Sequence, residues 1–175
     1  MASAQTYVPI ATQTLASSAA AISFTSIPNT YTDLVLKANL NTVASGGLLT
    51  FTFNNDSSSG LYSYTLLGNN STTPYTAAVN NQNNVEPLNY VNYDGVSNKY
   101  NPFTMDIQNY ANTSVYKSVI GYYSSDYPSN FRFSEIALSA SLWRNTSAIS
   151  TITLNSTGSN FATGCTATLY GILAA

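Results

Sequence analysis

Wherever apolar residues cluster along this chain, they alternate with polar residues at every second position. In the run TDLVLKANL, Leu34, Leu36, Ala38 and Leu40 fall on one side while Val35, Lys37 and Asn39 fall on the other, the pattern of a strand with one buried face. Phe51 and Phe53 share a phase, as do Tyr62, Tyr64 and Leu66, and Phe103, Met105 and Ile107 alternate with Thr104, Asp106 and Gln108. The Asn-rich break from Asn109 to Ser114 separates that strand from VYKSVIGYY and reads as a hairpin connection. In FRFSEIALSASLW the apolar phase is set by Phe131 and Phe133 and then shifts to Ile136, Leu138, Ala140 and Leu142, which predicts a bulge or bend near Glu135. Ile152 and Leu154 share a face in the next run, and Cys165, Ala167, Leu169 and Leu173 share one in the last.

With AAISF near the start, the fold class expected is all-β. A single-domain antiparallel β-sandwich, jelly-roll-like, with about eight to ten strands accounts for this spacing. Residues 1–20 form an extended N-terminal arm in this reading, a possible anchor, and 21–175 form the sandwich. Within the arm, ATQTLASSAAAI is the one stretch compatible with a short helical turn, although its Ser and Thr content suits an extended chain equally well. The segment between Gly68 and Pro102 is the least patterned. An unstructured loop of that length is uncommon in a compact domain, so it either carries contacts or hides another short strand pair.

Composition narrows the function. Charged residues make up 7% of the 175, against roughly 25% in an ordinary soluble domain, and Ser, Thr and Asn take over the polar surface. The five Lys and Arg residues stand singly and the formal net charge is −2, so no basic stripe exists to meet phosphates and nucleic acid is not an expected partner. No apolar run is long enough for a helical membrane span, and the first residues lack the basic start and apolar run of a cleaved secretory signal. The N-x-Ser/Thr triplets at Asn70, Asn112, Asn145 and Asn155 are what a chain this rich in Asn, Ser and Thr produces by chance.

Catalytic material is scarce. There is no histidine, which removes imidazole bases and imidazole metal sites. Cys165 sits among small and apolar residues, where a thiol acts as a modest hydrophobe. The carboxylates Asp33, Asp56, Glu86, Asp94, Asp106, Asp126 and Glu135 form no local cluster in sequence and mostly lie beside turns, where Asp bonds nearby backbone amides. Asn54, Asp56, Ser58 and Gly60 lack the acidic ligands of a calcium loop. The expectation is a non-enzymatic protein without metal or cofactor.

The 14 tyrosines are contact material, because Tyr buries much area with few rotatable bonds and keeps a polar tip. Candidate interface or adhesion residues are Tyr90, Tyr93 and Tyr100 in the middle segment, Tyr122, Tyr123 and Tyr127 around GYYSSDYPSN, and the pair Trp143 and Arg144 at a strand end.

Several phrases, in order, carry a resemblance: TYVPIATQTLASSAAAISFTSIPNTYTDLVL, FTFNNDSSSGLYSYTLLG, NYANTSVYKSVIGYY, SLWRNTSAISTITL and FATGCTATLYGILAA. Together they resemble a family of small virion structural proteins of tailed bacteriophages, including phages of aquatic and cyanobacterial hosts. The resemblance implies a non-enzymatic β-sandwich on the exterior of the phage particle, made in the host cytoplasm. It would decorate or cement the capsid through contacts with the major capsid protein or other virion proteins. A homo-oligomer is expected, with a trimer suiting capsid three-fold positions. The alternative is a tail or head fibre protein that binds host-surface glycan through exposed tyrosines and Trp143.

Overall fold

The computed structural model describes residues 6–70, 73–87, 99–127 and 133–173. They build eleven strands: β1 (Tyr7–Thr14), β2 (Ala21–Phe24), β3 (Asp33–Leu40), β4 (Leu48–Phe53), β5 (Tyr62–Asn70), β6 (Thr73–Gln82), β7 (Asn101–Ile107), β8 (Lys117–Tyr127), β9 (Phe133–Trp143), β10 (Ile152–Thr157) and β11 (Thr166–Ile172). The strands form an antiparallel β-sandwich of unequal layers. The large sheet has the order β1-β11-β3-β7-β8-β9-β5-β6 and the small sheet the order β2-β10-β4. The chain crosses between layers at each step from β1 to β5 and again from β9 to β11, so the two sheets are sewn together by their connections.

The core lies where the alternating residues meet. Leu34, Leu36 and Leu40 of β3, Phe103, Met105 and Ile107 of β7, and Leu169 of β11 face Phe51 and Phe53 of β4 and Ile152 and Leu154 of β10, all at most 1% exposed. An aromatic cluster bridges the layers: Phe53 from the small sheet packs against Trp143 of the large one with centroids 5.6 Å apart. Tyr62 closes it, its hydroxyl accepting from the Phe53 amide at 3.0 Å and donating to the Asp56 carbonyl at 3.0 Å.

Two strands lie outside the eight to ten expected segments. Residues 7–14 of the arm are extended and hydrogen-bonded along β11 as the edge strand β1; Pro9 and the register break between Pro9 and Ala11 leave that edge a poor template for further pairing. The Asn-rich middle segment contains β6, which pairs with β5 as a hairpin and forms the opposite edge. Edge strands need no long apolar run, so polarity concealed both.

The bend near Glu135 is not present. The β8–β9 ladder runs without a register shift from Lys117↔Trp143 to Tyr127↔Phe133. The residues of β9 that face inward are therefore Ala137, Ser139, Ser141 and Trp143, all buried, while Ile136 and Leu138 are 63% and 44% exposed. A single-residue change of phase inverts every side chain of a strand, and here the large buried residue at one end sets it. Small residues suit the interior next to β8: Gly121 is paired with Ser139, and a Cβ on Gly121 would lie 2.7 Å from the Ser139 Oγ.

Candidate functional site: the outer face of the large sheet

The register carries one transverse row of outward residues across seven of the eight strands of the large sheet, from β1 to β5. On one half it runs Thr12, Thr168, Lys37, Thr104, with the Thr12 and Thr168 hydroxyls 3.0 Å apart. Beyond Thr104 it continues as Tyr122, Leu138 and Leu67 on β8, β9 and β5. Ile120 and Ile136 flank that apolar half one outward position away. Leu67, Ile120, Tyr122, Ile136 and Leu138 are each between 43% and 63% exposed, and the strand register makes them neighbours in one contiguous apolar patch.

The patch is contoured. A hollow of about 320 Å³ opens among Leu67, Tyr122, Ile136 and Leu138, and another of about 260 Å³ opens among Pro102, Thr104, Tyr122 and Ile136. Tyr122 and Ile136 stand between the two as ridges. Asp106, paired with Ile120, lies beside the patch. Burial pushes its carboxyl above the ordinary aspartate value, and the Lys37 charge offsets part of that rise.

The residues singled out from the sequence separate sharply. Tyr122 lies at the centre of the patch. Tyr123, its neighbour, points inward and is buried, and Trp143 is 1% exposed; neither offers a ring face to a ligand, and burial removes Trp143 as a stacking platform. Arg144 is consumed by the fold, since its guanidinium donates to the Gly60 carbonyl at 2.8 and 3.1 Å, to the Ser63 Oγ at 3.0 Å and to the Asn81 Oδ1 at 3.2 Å. Tyr100 donates to the Thr163 carbonyl at 2.7 Å and packs over Gly164, tying the start of β7 to the loop before β11. Tyr127 is the last residue of β8. Tyr90 and Tyr93 lie outside the described residues. Sequence reasoning placed Ile136 and Leu138 in the opposite role, and it did not single out Leu67 or Ile120.

The polar groups that sequence reasoning weighed for chemistry are held structurally. Cys165 is fully buried; its sulfur accepts from the Asn41 amide at 3.2 Å and donates to the Asn41 carbonyl at 3.3 Å, and burial raises its pKa, away from a reactive thiolate. Burial raises the Asp56 pKa, but the bonds it accepts from Ser58, Asn145 and Trp143 outweigh this and hold it below the ordinary value. Asp33 caps the Asn109 amide at 2.7 Å. Lys117, which the sequence did not flag, is fully buried. Its ammonium donates to the carbonyls of Asn112, Val115 and Thr146 at 2.6, 2.8 and 3.1 Å, one for each N–H, and so ties the β7–β8 connection to the segment after β9. Among the described residues no group of three or more His, Cys, Asp or Glu is placed to hold a metal ion.

Neither a protein-family model nor a curated protein matches this sequence.

Proposed function

We propose that this chain is a non-enzymatic structural protein of the exterior of a tailed-phage particle, a decoration or cement protein that docks on the major capsid protein through the outer face of its large sheet. The observation that carries this reading is the apolar patch of Leu67, Ile120, Tyr122, Ile136 and Leu138. A strand facing solvent would place its small and hydroxylated residues outward, and β9 does the reverse, spending Ile136 and Leu138 on the surface while burying Ser139 and Ser141. The resemblance of the sequence to small virion proteins supplies the partner class.

The physical chemistry suits a lattice contact. A standard interface buries roughly 800 Å² on each partner with an apolar centre and a polar rim; here Thr104 and Ser124 contribute hydroxyls to such a rim, and Asp106 and Lys37 are charged groups that border it. Burial of the patch supplies about 25 cal/mol per Å² before association costs are subtracted, and many copies on one shell multiply a modest single contact.

The test is binding of purified chain to particles stripped of it. Leu138→Glu and Ile136→Glu, both at solvent-exposed positions, should each lower occupancy at least tenfold while leaving the melting temperature of the free chain nearly unchanged. Undiminished occupancy of both variants would overturn the docking face.

A further inference from the structure

The outward face of the small sheet is chemically unlike that of the large one. Its register places Thr52, Thr153 and Ser23 in one row and Thr50, Asn155 and Ala21 in the next, so the outward positions carry hydroxyls and an amide. A groove of about 450 Å³ runs over them, within the ~300–1,000 Å³ span of small-molecule sites. Its wall is formed by Asn83 and Asn84, from the segment after β6. Val85, which follows them, is pinned to β4 by a reciprocal pair of backbone hydrogen bonds with Phe51 at 2.9 and 3.1 Å.

Two features of the floor stand out. Thr50 and Thr52 are only 6% and 9% exposed, yet among the described residues neither hydroxyl, nor the Asn155 side-chain amide, makes a hydrogen bond to protein. Beside them the polar groups are ordered: Ser23 Oγ donates to Thr153 Oγ1 at 3.2 Å, which donates to Asn55 Oδ1 at 3.2 Å. Asn55 is set by the turn after β4, where it and Asn54 both adopt positive φ, 54° and 52°. The groove thus combines a fixed polar end with solvent-facing hydroxyl and amide groups that have no protein partner among the described residues.

We propose that this groove binds a neutral, hydroxyl-rich ligand, an oligosaccharide without acidic groups. Thr hydroxyls and Asn amides both donate and accept, as sugar hydroxyls do. Among the described residues no formal charge lines the groove, so a phosphate, sulfate or carboxylate would lose water without gaining a counter-charge there. An apolar ligand would strand the hydroxyls of Thr50 and Thr52. An extended peptide would seek a free strand edge, whereas this groove lies over a sheet face and Val85 already occupies the β4 edge at Phe51. The groove opens on the layer opposite the docking patch, so both can be occupied at once, and it stands independently of what the patch binds.

The test is a titration of isotope-labelled protein, followed by amide chemical shifts, with neutral galactose, mannose and N-acetylglucosamine oligomers to tens of millimolar, and in parallel with sialylated and sulfated glycans. The expected result is perturbation at Thr50, Thr52, Asn55, Thr153 and Asn155 by at least one neutral series. Thr50→Val and Asn155→Ala should each weaken that binding about fivefold to tenfold with an unchanged melting temperature. No perturbation of the groove by any neutral oligomer, perturbation confined to the large sheet, or tighter binding of the acidic glycans would each overturn the proposal.

Discussion

The rings of Trp143 and Tyr62 are stacked, 6.3 Å between centroids and 17° between planes, on residues directly paired across β5 and β9. Trp143 also donates from its indole nitrogen to Asp56 Oδ2 at 3.3 Å, so it is held from the side and from the edge. The phase of β9 follows from that one residue, and with it the identity of the outward face. Trp143→Ala is expected to cost about 3–5 kcal/mol, read as a shift of the denaturant midpoint. Trp143→Phe, which keeps the ring but loses the Asp56 bond, should cost clearly less.

The inversion of β9 can be checked directly by paired substitutions. Leu138→Ser changes an outward residue and should alter stability by no more than about 0.5 kcal/mol. Ser139→Leu forces a large side chain between Gly121 and its neighbours and should cost about 1–3 kcal/mol. Equal effects, or the reverse order, in thermal melts would refute the phase.

This strand also marks where the sequence stops being legible. β3, β4 and β7 could be read correctly because one phase of each holds nearly all the large apolar residues, so their buried faces announce themselves. In β9 both phases are plausible: Ile136, Leu138, Ala140 and Leu142 make one unbroken apolar set, whereas the competing phase holds large apolar residues only at its ends, Phe133 and Trp143, with Ala137, Ser139 and Ser141 between them. A hydrophobic residue held outside for contact cannot be told by alternation from one held inside for the core. The groove on the small sheet was hidden for a related reason, since Thr50, Thr52, Thr153 and Asn155 look like the solvent phase of ordinary strands until Asn83 and Asn84 are brought beside them by a pairing some 30 residues distant.

Lys117 makes a second stability prediction. Lys117→Met removes three hydrogen bonds from a buried side chain to the carbonyls of Asn112, Val115 and Thr146, which is expected to cost about 2–4 kcal/mol. For a chain of this size each kcal/mol lowers the melting temperature by about 2–4 °C, so a drop of about 4–16 °C is expected. A melting temperature unchanged within 2 °C would show that the ammonium holds nothing in place.

Among the described residues three carboxylates are shifted, and they set two opposed trends with pH. Burial raises Glu86 above 4.5 and Asp106 above 3.8, so in the folded state each binds a proton more readily than in the unfolded chain. Their contribution to stability is fully present below those reference values and is lost as pH rises through the folded values. Asp56 is shifted the other way, below 3.8, so its contribution is present above 3.8 and is lost only as pH falls through its lowered folded value. Thermal melts should therefore show stability rising as pH falls from 7 to about 4 and declining in stronger acid. Glu86→Gln should flatten the rise; a monotonic fall from pH 7 downward would contradict these assignments.

The proposed docking face consists of the outward apolar residues of β5, β8 and β9. Cryo-microscopy of purified virions tests it most directly. The expected result is density for this sandwich on the capsid exterior, with Tyr122, Ile136 and Leu138 against the shell and the small sheet turned to solvent. Particles that lack the chain, or that hold it by the small sheet with the β9 face exposed, would contradict it.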